Sequence, residues 1–558
     1  MLPRGRVAAR GRDRREEPRI RPATRRNLTI LAGLLLAGCR GEVEAMGEGP
    51  PPPGTRGLAD YHVHQFASES LGGRWLWGEP DGPPAEALAP CSGRGIDHGF
   101  LASSEGPFLN LGRHDARGHP DYEGWPRWDS LSHQQVHAGW LKEAHAQGLD
   151  LMILSAMDQS DFCALMPDRL RDRPCDDFAS VKRQIALARA FERRHADWYD
   201  VVESPAEARA AIAEGRLAVV LAVEAGDVFD GADDPLARLA ELHALGVRVL
   251  QPVHETDNRF AGAAWHSPPL WALETSHFRR HPEEREAQRR LEREDGCHRN
   301  GSCPAHTADV AGFVLDEAGL NRRGLTALGE ALIGAMMDLG MIVDVAHLSE
   351  RSIADAHRMA RARSWYPLFV SHAHFRDLEP DEVGEWSYGL GVYQQVLETG
   401  GVVGVRSSAS VTRTYTGSGV ANDCAGSSKS FAQRLAFVSR ELGLGVGFAS
   451  DFGGLATNLA PRFGAEACAD ASGGRRRRQA EAQTGRTGLR IDQRGWGHIG
   501  QVGEVMQELR QIGADTAPLA QGAEVFLRMW ERVEDPGRRR VLRTFDPDAA
   551  RATLTDPG

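Results

Sequence analysis

The chain has 558 residues, is 41% hydrophobic and carries a formal net charge of −11 at pH 7. That length holds one large domain with insertions or a few ordinary ones, and the apolar share is enough for a sizeable core. The acidic balance argues against a general nucleic-acid binder, which would show a basic face.

Residues 1–27 are arginine-rich and end in "RPATRRN"; "LTILAGLLLAGC" follows. That apolar stretch is too short to span a bilayer as a mature helix and fits a secretory signal. Its end, Leu36-Ala37-Gly38-Cys39, resembles a bacterial lipobox. Residues 1–39 therefore read as a lipoprotein signal peptide, with Cys39 as the lipidated new N-terminus. The expected location is the bacterial cell envelope, at the outer membrane or periplasmic face, held to the membrane by the lipid alone. Residues 40–57 are a Pro/Gly-rich tether.

From residue 58 onward, short apolar runs alternate with stretches of helical length. The runs are 58–64, 149–157, 217–225, 246–254, 340–347, 366–374, 400–408 and 442–451. Continuous apolar runs suit strands buried on both faces, as in parallel sheets. Helices are expected over 131–148, 176–196, 204–215, 234–245, 324–339, 350–363, 387–399 and 428–441. In the fifth, Leu325, Leu328, Leu332, Ala335, Met336 and Leu339 keep the 3.6-residue period, and Gly340 closes it. Eight strands with intervening helices predict an α/β fold, a (β/α)₈ TIM-type barrel over 58–535. Long insertions follow the first and fourth strands, at 65–130 and 259–323, and a polar C-terminal tail covers 536–558. The arginine run in "RRRRQAEAQTGR" (475–486) reads as a solvated loop.

Seven cysteines remain beyond Cys39. In an exported protein they can pair. Cys297 and Cys303, in the short loop "GCHRNGSC", are the first choice for a disulfide, and Cys163 with Cys175 is a second. A zinc knuckle from Cys297, His298, Cys303 and His306 competes with the first pairing, but its spacing matches no standard finger.

Metal-type side chains sit at or just past the ends of these runs: His62, His64, Glu224, His254, His347, His372 and Asp451. Any one alone is explained by capping or a structural hydrogen bond. Barrel strands converge at their C-terminal ends, however, so these side chains can meet there. Nitrogen and carboxylate donors of this mix suit Zn²⁺ or a similar divalent ion, and their number suits two ions sharing a carboxylate.

The order H-x-H, Glu, His, His, Asp resembles the amidohydrolase superfamily, and local text narrows the resemblance to the membrane (renal-type) dipeptidases. The segments are "GLTALGEALIGAMMDLGMIVDVAHLSE", "PLFVSHAHFRDL", "GVRVLQPVHETDNRFAG", "LGLGVGFASDFGG" and "QGAEVFLRMWERV". The resemblance implies a zinc-dependent hydrolase that cleaves a dipeptide amide with a metal-activated water, and a homodimer. By position it implies His62, His64 and Asp451 on one zinc, His347 and His372 on the other, and Glu224 bridging. His254 would contact the scissile carbonyl or its oxyanion, with Asn258 also on the substrate. Arg376 would hold a substrate carboxylate, and Asp451 would take the water's proton. The first motif departs from the family's H-x-D. His64 leaves the site one charge more positive. His374 stands as a spare ligand or substrate contact beside His372. None of the three lysines, Lys142, Lys182 and Lys429, ends a strand, so Glu224 is the bridge. Two other readings stay open: a lactone, cyclic amide or ester as substrate, and a non-catalytic lipoprotein binding module on the same barrel.

Overall fold

The computed structural model describes residues 57–73, 76–91, 117–122, 125–129, 132–166, 168, 171–266, 277–282, 285, 313–380, 384–454, 456–464, 467–468, 490–535 and 543–556. The signal peptide with Cys39, nearly all of the tether, the Cys297–Cys303 pair with its zinc-knuckle alternative, and the arginine run at 475–478 lie outside these residues. Among the described residues, no helix is long and apolar enough to cross a membrane.

Eight parallel strands form the core. They are β1 (Leu58–Val63), β2 (Leu149–Asp158), β3 (Leu217–Ala225), β4 (Val247–Leu250), β5 (Ile342–Asp344), β6 (Leu368–Phe375), β7 (Val402–Arg406) and β8 (Gly445–Ala449). Each pairs with the next, and β8 pairs with β1, so the sheet closes into a barrel. All eight fall on the runs expected from the sequence. Every residue of β3 is buried, as the unbroken run "LAVVLAVEA" requires of a strand covered on both faces.

Helices cover the outside: α1 (Ala138–Ala146), α2 (Asp177–Arg194), α3 (Pro205–Ala213), α4 (Pro235–Ala244), α5 (Ala327–Asp338), α6 (Glu350–Ala362), α7 (Leu390–Thr399), α8 (Ser428–Ala436), α9 (Val502–Gln511) and α10 (Gly522–Glu534). Their starts are encoded locally. Asp176, Ser204, Asp234, Thr326 and Ser349 each accept a hydrogen bond from a first-turn N–H, and Pro205 and Pro235 occupy the first position after their caps.

Alternation along β1 sets up the site. Asp60, His62 and His64 share one face; Tyr61 takes the other. Tyr61 packs on Phe526 of α10, and its hydroxyl donates to Gly522 O at 2.7 Å. Gly447 of β8 makes room for that ring, because a Cβ there would lie 2.6 Å from it. A packed outer layer thus fixes which way the two histidines point.

Several features were not read from the sequence, the helix α9 among them. Tyr199–Val201 forms a short strand beside β3. The expected polar tail contains a helix, Pro547–Ala552, and a strand, Leu554–Thr555, that pairs antiparallel with Thr414–Tyr415. Cys424 is bonded to Cys468, in addition to the expected Cys163–Cys175 bridge.

Candidate metal centre

Side chains from five strands and the loops after them meet at one end of the barrel. Glu224 of β3 is at the centre. Its Oε2 lies 3.1 Å from His62 Nε2 and 3.1 Å from His64 Nε2. Its Oε1 lies 3.1 Å from His347 Nε2 and 3.8 Å from His372 Nε2. Asp451 Oδ1 is 3.0 Å from His64 Nε2 and 3.8 Å from His62 Nε2. All six side chains are buried.

Several of these contacts set one hydrogen-bond acceptor against another. His64 Nδ1 is 2.9 Å from Ser155 O. A carbonyl oxygen only accepts, so Nδ1 carries a proton, and in its neutral form His64 would point an Nε2 lone pair at Glu224 and Asp451. His62 Nε2 is 3.0 Å from His64 Nε2, and His347 Nε2 is 2.8 Å from His372 Nε2. Converging lone pairs repel unless positive charge lies among them, whether protons on the rings or bound metal ions. The donor set of four imidazoles and two carboxylates fits such ions. One glutamate oxygen faces each histidine pair.

Without an ion, burial works against a charged His64, but hydrogen bonds to Asp451 and Glu224 push it up to about 10; the Glu224 hydrogen bond likewise raises His347 against its burial, so protons stand where a cation would. Burial works against a charged Glu224, but His62, His254 and His347 hold its carboxyl well below the usual range. Burial, together with His62 and His347, pushes His372 well below its ordinary value, so it is a neutral imidazole. Against the cost of burial, the Arg406 guanidinium and the His64 hydrogen bond hold Asp451 at about 2.

Two of these residues sit in strained backbone. His347 has φ of 64° and Asp451 of 54°, the left-handed region that residues with a Cβ avoid. Such positions cost roughly 1–3 kcal/mol each and persist where the surroundings impose them. Here they turn two side chains back over the barrel mouth.

The other expected residues fare differently. His254 joins the cluster, with Nε2 3.7 Å from Glu224 Oε1, and burial pushes its pKa down to about 3. Its Nδ1 donates to Gln159 Oε1 at 3.2 Å, so in the neutral ring Nε2 is an acceptor. Asn258 is placed elsewhere. Its Nδ2 donates to Gly226 O and Pro252 O, and its Oδ1 accepts from Phe260 N and Ala261 N. Those four bonds exhaust its capacity, so Asn258 organises the loop rather than meeting substrate. Arg376 donates from one terminal nitrogen to Glu350 Oε1 at 2.7 Å. His374 is packed on Trp386, at a centroid distance of 3.8 Å, with Nδ1 3.5 Å from Glu379. A register irregularity between Val370 and Ala373 separates it from His372.

Three residues of the site were missed in the sequence. Arg406, at the end of β7, donates from one terminal nitrogen to Asp451 Oδ2 at 2.6 Å. Its signal was the strand-end position itself, in "GGVVGVR". Glu255 follows His254, and its Oε1 is 3.6 Å from that ring's Nε2; burial pushes its carboxyl up to about 7. His266, in the loop beyond, stacks on Trp386 with Nε2 3.5 Å from Glu255. No spacing rule pointed to it.

The chain is similar to known proteins along much of this barrel. The family model for membrane dipeptidase (peptidase family M19) matches residues 134–274 and 300–461, more than half of the chain. An uncharacterized dipeptidase of Schizosaccharomyces pombe is 26% identical over 231 residues, 40% of this chain and 42% of that protein. The match thus spans less than half the length of that relative. Among solved structures, a probable dipeptidase from Pseudomonas aeruginosa is 17% identical at a TM-score of 0.46, covering 72% of this chain and 89% of that one. A metallo peptidase from Rhodobacter sphaeroides, liganded with a phosphinate mimic of L-Ala-D-Ala, is 16% identical at a TM-score of 0.44, covering 72% and 90%. The chain belongs to the membrane dipeptidase family, peptidase family M19, whose members are metal-dependent hydrolases.

Proposed function

We propose that the chain hydrolyses the amide bond of dipeptides at a dinuclear zinc centre. His62, His64 and Asp451 would hold one ion, His347 and His372 the other, with Glu224 between them. The observation that supports this most is the split of Glu224, one oxygen toward each histidine pair. When bound, two such ions supply a water acidified toward neutrality and a polarised carbonyl.

The chain's own residues do the rest. Ser155 O fixes the His64 tautomer that frees Nε2 as a ligand. Arg406 keeps Asp451 ionised and takes its Oδ2, leaving Oδ1 toward the histidines. Held so, Asp451 is a ligand first and a weak proton acceptor. His254 faces the centre with Nε2; it serves at the carbonyl oxygen when that atom bears a proton, and Glu255 Oε1 lies 3.6 Å away from it. Beside Glu255, His266 stacks on Trp386.

The lipobox-like "LAGC" ending at Cys39 supports a lipid-anchored enzyme at the cell envelope. The test is a screen of zinc-loaded protein on dipeptides, N-acylated dipeptides, lactones and esters, with total metal measured on the same sample. Turnover of dipeptides with two zinc equivalents at this centre is expected. Turnover of lactones alone moves the substrate class, and turnover that survives complete metal removal refutes the mechanism.

A further inference from the structure

A chain of buried polar side chains runs from the metal centre to the segment inserted between β4 and β5. It starts at His254, whose Nε2 faces Glu224 Oε1 at 3.7 Å. The other ring nitrogen, Nδ1, lies 3.2 Å from Gln159 Oε1. Gln159 follows β2 directly and precedes the short helix Ser160–Leu165, but its side chain makes no capping bond there. The amide reaches across instead, with Nε2 3.4 Å from Asp161 Oδ2. Asp161 is fully buried and is held from the insertion. His277 Nδ1 donates to its Oδ2 at 2.9 Å, and Arg280 Nε donates to its Oδ1 at 2.9 Å.

The far end of this chain decides the near end. A carboxylate bonded to a guanidinium only accepts, so the amide edge that faces Asp161 is the nitrogen. The amide oxygen then points the other way, at His254. An oxygen there also only accepts, so His254 Nδ1 carries the proton. In the neutral ring Nε2 is left bare, with its lone pair toward the metal centre. By shape alone the amide fits either way round; the charge on Asp161 selects one. The bed for the amide is Gly226, on the loop after β3. A Cβ there would lie 2.6 Å from Gln159 Oε1 and 2.9 Å from Nε2, so any larger residue would displace it.

We propose that Gln159 is a positioning residue for His254: it fixes which ring nitrogen stands bare at the substrate carbonyl, and Asp161, held by His277 and Arg280, fixes Gln159. The inference rests on the reading of His254 as the group at the carbonyl oxygen. The inserted segment thereby bears on the reaction through two hydrogen-bonded residues without touching substrate. Its contribution is orientation, and the proton stays where the amide puts it.

The test uses full-length, zinc-loaded protein carrying isotope-labelled histidine. Ring-nitrogen NMR tells a protonated nitrogen from a bare one, and the signals lost in His254→Gln identify that ring. Dipeptide kcat and KM are read on the same samples. In the wild type the proton is expected on Nδ1. Gln159→Met is similar in size but removes the acceptor, so both tautomers are expected, with kcat lower by roughly 10–100-fold, the usual effect of losing an outer partner, and KM little changed. Gln159→Glu returns an acceptor and is expected to return the Nδ1 proton. Asp161→Asn leaves one acceptor oxygen for three donors, which lets the amide turn over and moves part of the proton to Nε2. A wild-type ring protonated on Nε2 overturns the proposal, and that reading needs no variant to fold. A Gln159→Met ring with the wild-type tautomer also overturns it, whether or not kcat falls, and an unchanged ring in Asp161→Asn overturns the part given to Asp161. A tautomer that shifts while kcat holds supports the hold of Gln159 on the ring and refutes the reading of His254 at the carbonyl, so the two failures are distinct.

Discussion

Replacing Arg406 by Met tests how the centre holds its terminal carboxylate. The Arg406–Asp451 pair is 2.6 Å long, with 9% and 11% of the two side chains exposed. Removing one partner of such a pair strands a buried charge, at a cost of about 3–5 kcal/mol. A second route gives a similar size. Asp451 is held at about 2 against an ordinary 3.8, in spite of burial, with Arg406 as the largest opposing influence. At roughly 1.4 kcal/mol per unit, that is about 2–3 kcal/mol. We therefore expect a loss of about 3 kcal/mol in the metal-free protein. For a unit the length of Gly54–Gly558, the unfolding entropy is roughly 1 kcal/mol per kelvin, so the melting temperature falls by about 3 °C. The pH dependence has a fixed sign. A depressed carboxylate pKa contributes stability above the unfolded value of 3.8, and the contribution is lost as pH falls toward 2. The gap between wild type and variant should thus be full from pH 5 to 7 and shrink below about pH 4. Urea midpoints of chelator-treated protein from pH 3 to 7 measure it. A variant as stable as the wild type at pH 7, or a gap that widens in acid, refutes the reasoning.

Other outcomes follow from the same geometry. His347→Ala removes a donor from the second ion and should cut dipeptide kcat/KM by more than about 100-fold with a matching loss of metal; chelation of the wild type should do the same and be reversed by Zn²⁺. Asn258→Ala empties a fully used amide in a buried loop, so denaturation should show a loss of about 2–4 kcal/mol while KM for dipeptides stays near the wild-type value; a large rise in KM without loss of stability would restore the substrate role. The Cys163–Cys175 bridge closes a loop of 12 residues and Cys424–Cys468 one of 44, so Cys424→Ser/Cys468→Ser should destabilise more than Cys163→Ser/Cys175→Ser, by about 1 kcal/mol on the chain-entropy scale. Melting of the two double variants decides the order.

Much of this architecture is written locally. A strand covered on both faces must be apolar throughout, so eight runs such as "LAVVLAVEA" announce themselves, and caps such as Asp234-Pro235 mark where helices begin. Tyr199–Val201 escaped because three residues between two helices carry no period. Leu554–Thr555 escaped because its pairing with Thr414 is fixed by contacts across 141 residues rather than by its own polar sequence. Cys424 and Cys468 meet for the same kind of reason. At the site, residue type and strand-end position were enough to gather His62, His64, Glu224, His347, His372 and Asp451. They were not enough for Asn258, whose chemistry suits a ligand but whose hydrogen bonds are taken by neighbours, nor to show that Arg376 pairs with Glu350. Which groups remain available is a property of the fold.

His64 and Arg406 together set the charge of the centre, and a final prediction depends on them. In the proposed dinuclear centre two carboxylates, Glu224 and Asp451, would face the ions, and Arg406 already offsets one of them. Few negative charges near the metal pair make the bound water more acidic, because nothing opposes its ionisation. His64→Asp adds a carboxylate where the imidazole now touches both Glu224 and Asp451. At about 4 Å and an effective dielectric constant near 20, one added charge is worth roughly 4 kcal/mol before screening by the ions. A fraction of that raises the water's pKa by about one to two units. The acid limb of kcat/KM against pH for a dipeptide should therefore move upward in His64→Asp, with metal content retained because aspartate is itself a ligand. An acid limb that stays in place or moves downward would mean that the proton lost in that limb does not come from a water held between Glu224 and Asp451.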